Sequence, residues 1–335
     1  MDVLQYALNA ILPLVLQIAA GYGLRRIGLL DEHFFRQCRK LVFYIVVPFS
    51  TFCCIYEVGS LSSIHWGMTL YCFAAVLVLF GVGVLVALWM PDRRKRGVMV
   101  QCSYRSNYNI IAVPLAQALG GQAGLTAVAI LSVTTIPQFN VLAVIALSMF
   151  LRQSGKKQRI VSLLVDIIKN PMVIACLAGL ICLLLRQFVP RRADGTLLFS
   201  LSGTLPFVYS AVHGIGKMST PLALITLGGL FEGRKLSGNG RDLVLGTVLR
   251  TVIAPLIGLG GACWLVSQGF LELNTGEFAC LIAVFASPLA TVSGVMAAQM
   301  HNDDVLADQL VLTTTVVSAF TVFATACILR AAGLI

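Results

Sequence analysis

Ten apolar stretches follow one another with only short polar breaks between them: 3–24, 33–57, 64–90, 98–118, 123–151, 170–189, 202–231, 242–266, 276–299 and 305–330. Roughly 20 apolar residues in a helix cross the ~30 Å hydrocarbon core of a bilayer. Lipid offers no hydrogen-bond partners, so only helices or a closed barrel can satisfy the backbone there. The pattern predicts an all-α integral membrane protein of ten spans. Composition agrees: 58% of residues are hydrophobic and 11% charged, against about 25% charged in soluble domains. The first stretch lacks the basic n-region and small-residue cleavage site of a signal peptide, so it reads as a retained span.

Charge sets the expected orientation. With the N-terminus outside, the inner connections hold Arg25, Arg26, Arg36, Arg39 and Lys40, then Arg93 to Arg96, then Arg152 to Lys169, then Arg234, Lys235 and Arg241. The outer side holds Arg186, Arg191, Arg192 and Arg330. Cytoplasmic loops carry excess Lys and Arg, so both termini are expected outside. The net charge of +10 is thereby read as topological signal, not as a nucleic-acid footprint. The ten cysteines are scattered through apolar segments without a CxxC or a Cys/His cluster, and read as small buried hydrophobes. No GxxxxGK[ST], HExxH or GxSxG motif is present, so neither an ATP-driven pump nor an enzyme is indicated.

The fourth stretch departs from a plain span. Gln101, Arg105, Asn107, Asn109 and Gln117 are polar, and Pro114 lies inside it. Proline removes one helical hydrogen bond and clashes with the preceding turn. Pro288 in FASPLATVSGVMAAQM occupies a similar place in span 9, followed by Thr291 and Ser293. Pro48 to Pro221 and Pro114 to Pro288 span nearly the same interval. The basic connection Arg152 to Asn170 separates five spans from five, and an odd number of spans inverts the second half. Inverted repeats with interrupted helices at matching places are a sequence sign of a secondary transporter. Unwinding at Pro114 and Pro288 would aim two positive half-helix N-termini at a carboxylate.

Three cations lie away from the loops: Arg105, Lys217 and Arg250. Every Asp and Glu falls at or near a span end. A buried cation costs several kcal/mol, and an anionic substrate is the simplest use for one. Arg105 either snorkels to the inner headgroups or meets that anion. Lys217 lies on one face with His213, or else belongs to an outer loop. Arg250 is expected to snorkel inward. Gln138 and Asn140 either line the same cavity or act as interhelical glue. The candidate substrate-binding residues are therefore Arg105, Asn107, Asn109, Pro114, Gln138, Asn140, Lys217, Pro288, Thr291 and Ser293. No metal site or cofactor is expected. Proton coupling through His213 or the substrate, and sodium held by backbone carbonyls at the breaks, are both compatible with this reading.

The chain resembles the auxin efflux carrier family, which includes bacterial malate- or malonate-type permeases and plant auxin carriers. The resemblance runs along the whole chain. It is carried by GYGLRRIGLL and LVFYIVVP near the start, SNYNIIAVPLAQALGG, STPLALITLGGLF, and ASPLATVSGVMAAQM with LADQLVLTTTVVSAFTVF. Against that family, Ser287-Pro288-Leu289-Ala290-Thr291 replaces a Pro-Pro-Ala-Val-Asn-like run, and Ala298 replaces a common acid. The resemblance implies two inverted five-helix repeats, 1–151 and 170–335, joined by a cytoplasmic loop, 152–169. It implies that helices 4 and 9 are broken and cross, with Asn107 and Pro114 as the crossover asparagine and proline. It implies a scaffold of helices 1, 2, 6 and 7, and a transport unit of helices 3–5 and 8–10 moving as an elevator. It also implies a homodimer in the cell membrane that carries a small organic anion without ATP. The other readings are a sodium/proton or sodium-coupled carrier related to bile-acid transporters, and a receptor without transport.

Overall fold

The computed structural model describes residues 2–58, 65–151, 165, 167–190, 199–231 and 239–334; for residues 2–11, 14, 109–120, 122, 123 and 319 it describes the backbone alone. The principal elements among them are helical: α1 (Asp2–Arg26), α2 (Glu32–Tyr56), α3 (Trp66–Leu88), α4 (Arg93–Tyr104), α5 (Tyr108–Met149), α6 (Pro171–Phe188), α7 (Pro206–Lys217), α8 (Ser219–Leu230), α9 (Gly240–Ser267), α10 (Thr275–Phe285), α11 (Val292–Gln299) and α12 (Asp304–Ala331). Among the described residues, five segments are long and apolar enough to cross a membrane: α2, α3, Gly124–Met149 of α5, α6 and α9. The pair Asp304–Ser318 and Phe320–Ala331, bent by 40°, makes a sixth if counted as one span.

Local chemistry explains where helices begin and bend. Asp31 and Asp303 each accept a backbone N–H of the first turn of α2 and α12. Asn274 and Glu277 form a reciprocal capping box at the start of α10, satisfying two donors that the helix leaves free. Pro48 and Pro255 each stand just after a single π turn, Val42–Val46 in α2 and Leu249–Ile253 in α9. Proline has no N–H to give to the preceding turn, and a widened turn accommodates the loss. Inside α5, Gly121 has φ +54° and ψ −136°, a conformation open to glycine and strained for any other residue.

Packing follows the small residues. α1 lies along α8, and a methyl added at Gly21 or Gly228 would collide with the backbone of Ile225 or Ile18 respectively. Lipid tails are as apolar as leucine, so close backbone approach, not water exclusion, holds such helices together. We expect Gly228→Leu to lower stability by about 3 kcal/mol, because a backbone cannot step aside as a rotamer does. An unchanged thermal unfolding midpoint of the variant in detergent would refute this. The opposite surfaces are apolar: Ile174, Leu177, Ile181 and Leu184 on α6, and Leu70, Leu77 and Leu85 on α3, are exposed. Such stripes suit a lipid-facing surface.

Candidate functional site

The two interrupted segments meet at their interruptions. α4 ends at Tyr104 and α5 begins at Tyr108; α10 ends at Phe285 and α11 begins at Val292. Between them, Ser106 and Leu289 form an antiparallel β-bridge. The N–H of Asn107 donates to Pro288 O at 2.8 Å, and the N–H of Ala290 donates to Arg105 O at 3.2 Å. The N–H of Leu289 donates to Thr314 Oγ1 of α12 at 3.1 Å. Extended backbone is thus tolerated here because each chain supplies the partners that the other has lost.

This corrects one expectation. The first break lies at Arg105–Asn107, not at Pro114, which sits within the helical backbone of α5. Pro288 does stand at the second break. The side chains of Asn109 and Pro114 are outside the described residues.

The crossing sorts helix ends by polarity. The C-terminal ends of α4 and α10 converge on Arg250 of α9, which is 0% exposed. Its guanidinium donates to Val284 O at 2.7 Å, Ser287 O at 2.8 Å, Phe285 O at 3.1 Å and Ser103 O at 3.4 Å. Each helix C-terminus carries roughly half a negative charge, so two of them offset one guanidinium. Arg250 therefore does not snorkel to the interface as expected; it caps both half-helices. Sequence reasoning missed this role, and its only signal was an arginine two turns into an apolar span.

The N-terminal ends of α5 and α11 face a cavity of about 80 Å³. Asn107 and Thr291 are their N-caps, and neither side chain closes its helix start. Arg105, Asn107, Asn140 and Thr291 line the cavity, joined by Ser50 and Thr51 of α2 and Ser219 and Thr220 of α8. Arg105 is 4% exposed. It donates to Asn140 Oδ1 and to Met296 Sδ, both at 2.8 Å. Among the described residues no carboxylate lines this cavity or pairs with Arg105. Asn107 Nδ2 and Ser106 Oγ are buried without a hydrogen-bond partner. A guanidinium and two uncapped helix N-termini thus converge on a cavity whose described lining offers no counter-charge.

The remaining expected residues fall elsewhere. Gln138 donates to Phe73 O at 2.8 Å and ties α5 to α3. Ser293 is buried in the first turn of α11, its hydroxyl unpartnered, but does not line the cavity. Lys217 ends α7 and is exposed, so the structure does not bring it to Arg105; Ser219 and Thr220, just beyond it, take that place. His213 pairs with Glu57 at 3.2 Å, away from the cavity.

The family described as membrane transport protein matches residues 6–325 of the chain. The chain belongs to this auxin efflux carrier family of membrane transporters. This carrier is accordingly a multi-pass membrane protein. Membership in a transport family favours neither a receptor without transport nor a carrier of the bile-acid type. No curated protein matches it.

Proposed function

We propose that this carrier moves a small organic anion, a carboxylate, across the cell membrane by elevator-type alternating access and without ATP. The observation that carries this reading is Arg105. It is buried at the crossing and, among the described residues, held only by an amide oxygen and a thioether, beside two uncapped helix N-termini. A buried cation without a counter-charge is costly, and an arriving carboxylate removes that cost. Arg250 is equally buried but is already matched by backbone carbonyls, so it has no such need. In this reading Arg105 receives the substrate charge with its planar donor fork. Asn107, Asn140 and Thr291 orient the substrate, and Pro288 holds the break open.

The architecture we propose is ten spans in two inverted repeats, 1–151 and 170–335, joined by 152–169. Spans 1, 2, 6 and 7 form a scaffold and spans 3–5 and 8–10 a transport unit. Much of the packing supports this division: α1 lies against α8, and α2 against α6 and α7, whereas α10 lies against α5 and α11 against α12; α1 also lies against α12, across the proposed boundary. The central cavity sits on the boundary, since Ser50, Thr51, Ser219 and Thr220 come from one group and Arg105, Asn140 and Thr291 from the other. The charge bias of the loops supports termini on the outer side. We further propose a homodimer, with a proton or sodium as the coupled ion.

The experiment is uptake of labelled malate, malonate and aromatic carboxylates into vesicles containing wild type or Asn107→Ala. At least one of these should be transported, and the variant should lose about tenfold in uptake, as expected for one lost hydrogen bond to a charged group. Unchanged uptake by the variant would remove Asn107 from the mechanism.

A further inference from the structure

A second, larger cavity of about 360 Å³ opens where α2, α8, α11 and α12 meet. It shares three of these helices with the central cavity. On α2 the lining passes from Thr51 to Lys40, on α8 from Thr220 to Leu230, and on α11 from Val292 to Gln299. At 1.5 Å rise per residue the two cavities are stacked about 10–16 Å apart along one seam. The lower one lies at the ends that the charge pattern assigns to the cytoplasm.

Its charged lining is built around Arg39, which is buried and pairs with Asp304 at 2.7 Å and with Asp308. Glu32, Arg36 and Lys40 complete it, so that among the described residues three cations face three carboxylates. Arg36 is held by Glu32, which also pairs with Arg25 of α1 at 2.9 Å. Asp303 lies at the N-cap of α12 beside this network, and among the described residues α8 and α11 add no charged group to the lining. Two buried donors remain without a partner: Arg39 Nε and Gln309 Nε2. Both residues line the cavity and are at least nine-tenths buried. Two orphaned donors, one of them on a guanidinium, call for an acceptor, and an anionic one most of all.

We infer that this cavity is a second anion site, an antechamber in which a carboxylate or other oxyanion docks on Arg39 before it reaches Arg105. Its role as an antechamber rests on the proposed function; its occupancy does not. The charges of the described lining cancel, so an entering monoanionic carboxylate leaves one negative charge in excess. Asp308 shares Arg39 with Asp304 and is the more buried of the two. The anion replaces the Asp308 carboxylate on Arg39, and Asp308 takes one proton from the bulk buffer, so the net charge of the lining is unchanged. Asp308 also packs directly on the backbone of Gly294 in α11. Its change of charge is therefore felt by the half-helix that borders the central cavity.

The test is thermal unfolding of the purified full chain in detergent, titrated with sulfate at constant ionic strength at pH 6 and pH 8. A parallel titration uses phosphatidylglycerol, to distinguish a free anion from a lipid phosphate. Sulfate should stabilise wild type, with tighter binding at pH 6. Arg39→Gln should weaken binding by about tenfold or more, and Gln309→Leu, which removes a neutral donor, by less. Asp308→Asn should bind at pH 8 as tightly as wild type does at pH 6. Stabilisation by phosphatidylglycerol alone, lost in Arg39→Gln, would support the site with a lipid phosphate as its occupant. Wild-type affinity in both Arg39→Gln and Gln309→Leu, or stabilisation of wild type by neither titrant, would overturn the inference. Binding lost in Arg105→Gln but kept in Arg39→Gln would place the anion in the central cavity, overturning the antechamber and leaving the proposed function standing.

Discussion

Arg105→Gln is expected to reduce carboxylate uptake by about 100-fold without lowering the thermal unfolding midpoint. The two halves of this result come from one cause. Removing one partner of a buried, hydrogen-bonded charge pair costs 2–5 kcal/mol, and about 2.7 kcal/mol is 100-fold. That cost applies only when the partner is present, during substrate binding. In the empty protein Arg105 is a buried cation held by Asn140 Oδ1 and Met296 Sδ. Glutamine keeps a donor for Asn140 and removes the uncompensated charge, so the fold loses little and gains the relief of a desolvation penalty. Arg105→Lys should recover only part of the uptake, because an ammonium lacks the planar fork that grips a carboxylate with two bonds. Uptake is measured in vesicles and stability in detergent on the same preparations. A variant that transports normally, or one that unfolds early, would count against the reading.

Arg250→Met is expected to do the reverse, destabilising the protein by about 3–5 kcal/mol. Its guanidinium donates to carbonyls of Val284, Phe285, Ser287 and Ser103. Methionine fills similar space but leaves these carbonyls buried and unpaired, at about 1–3 kcal/mol for a buried polar group left orphaned. The converging C-termini of α4 and α10 would also lose their counter-charge. Arg250→Lys should recover little, since a single ammonium cannot fork across two helix ends. A fall in the unfolding midpoint with Arg250→Met, against none with Arg105→Gln, would separate the arginine that builds the crossing from the one that serves the cavity. Equal midpoints for Arg250→Met and wild type would contradict the capping role.

The contrast between these arginines also shows what could be read from the chain. The apolar runs and their polar breaks were legible because lipid forces each long run to be helical. Pro288 marked the second break because local chemistry decides it: the residue before a proline is pushed out of the helical region. Pro114 misled for the complementary reason. The first break is set by the bridge between Ser106 and Leu289 and by the bond from Asn107 N–H to Pro288 O, contacts between residues far apart in sequence. With those made, α5 starts at Tyr108 and carries Pro114 inside it.

That Arg105 and Asn107 line a buried cavity was legible from their being polar residues in an apolar span, a rarity that makes them candidates for function. The same rule did not place Lys217, because a cation can sit at an exposed helix end without cost. Nor did it separate Arg105 from Arg250, since what distinguishes them is which helix ends they meet. The Arg39 network was the least legible. Arg39, Asp304 and Asp308 each lie near a span end, where charges are ordinary, and only folding brings α2 against the start of α12.

In the proposed mechanism a carboxylate binds where Arg105 meets the N-termini of α5 and α11. The most direct measurement is a structure of the protein with a carboxylate that it transports, the ligand carrying bromine so that its position is unambiguous. The carboxylate group is expected within hydrogen-bond distance of Arg105, with Asn107 or Thr291 as a second partner. A transported carboxylate held elsewhere, with the Arg105 cavity vacant, would contradict it.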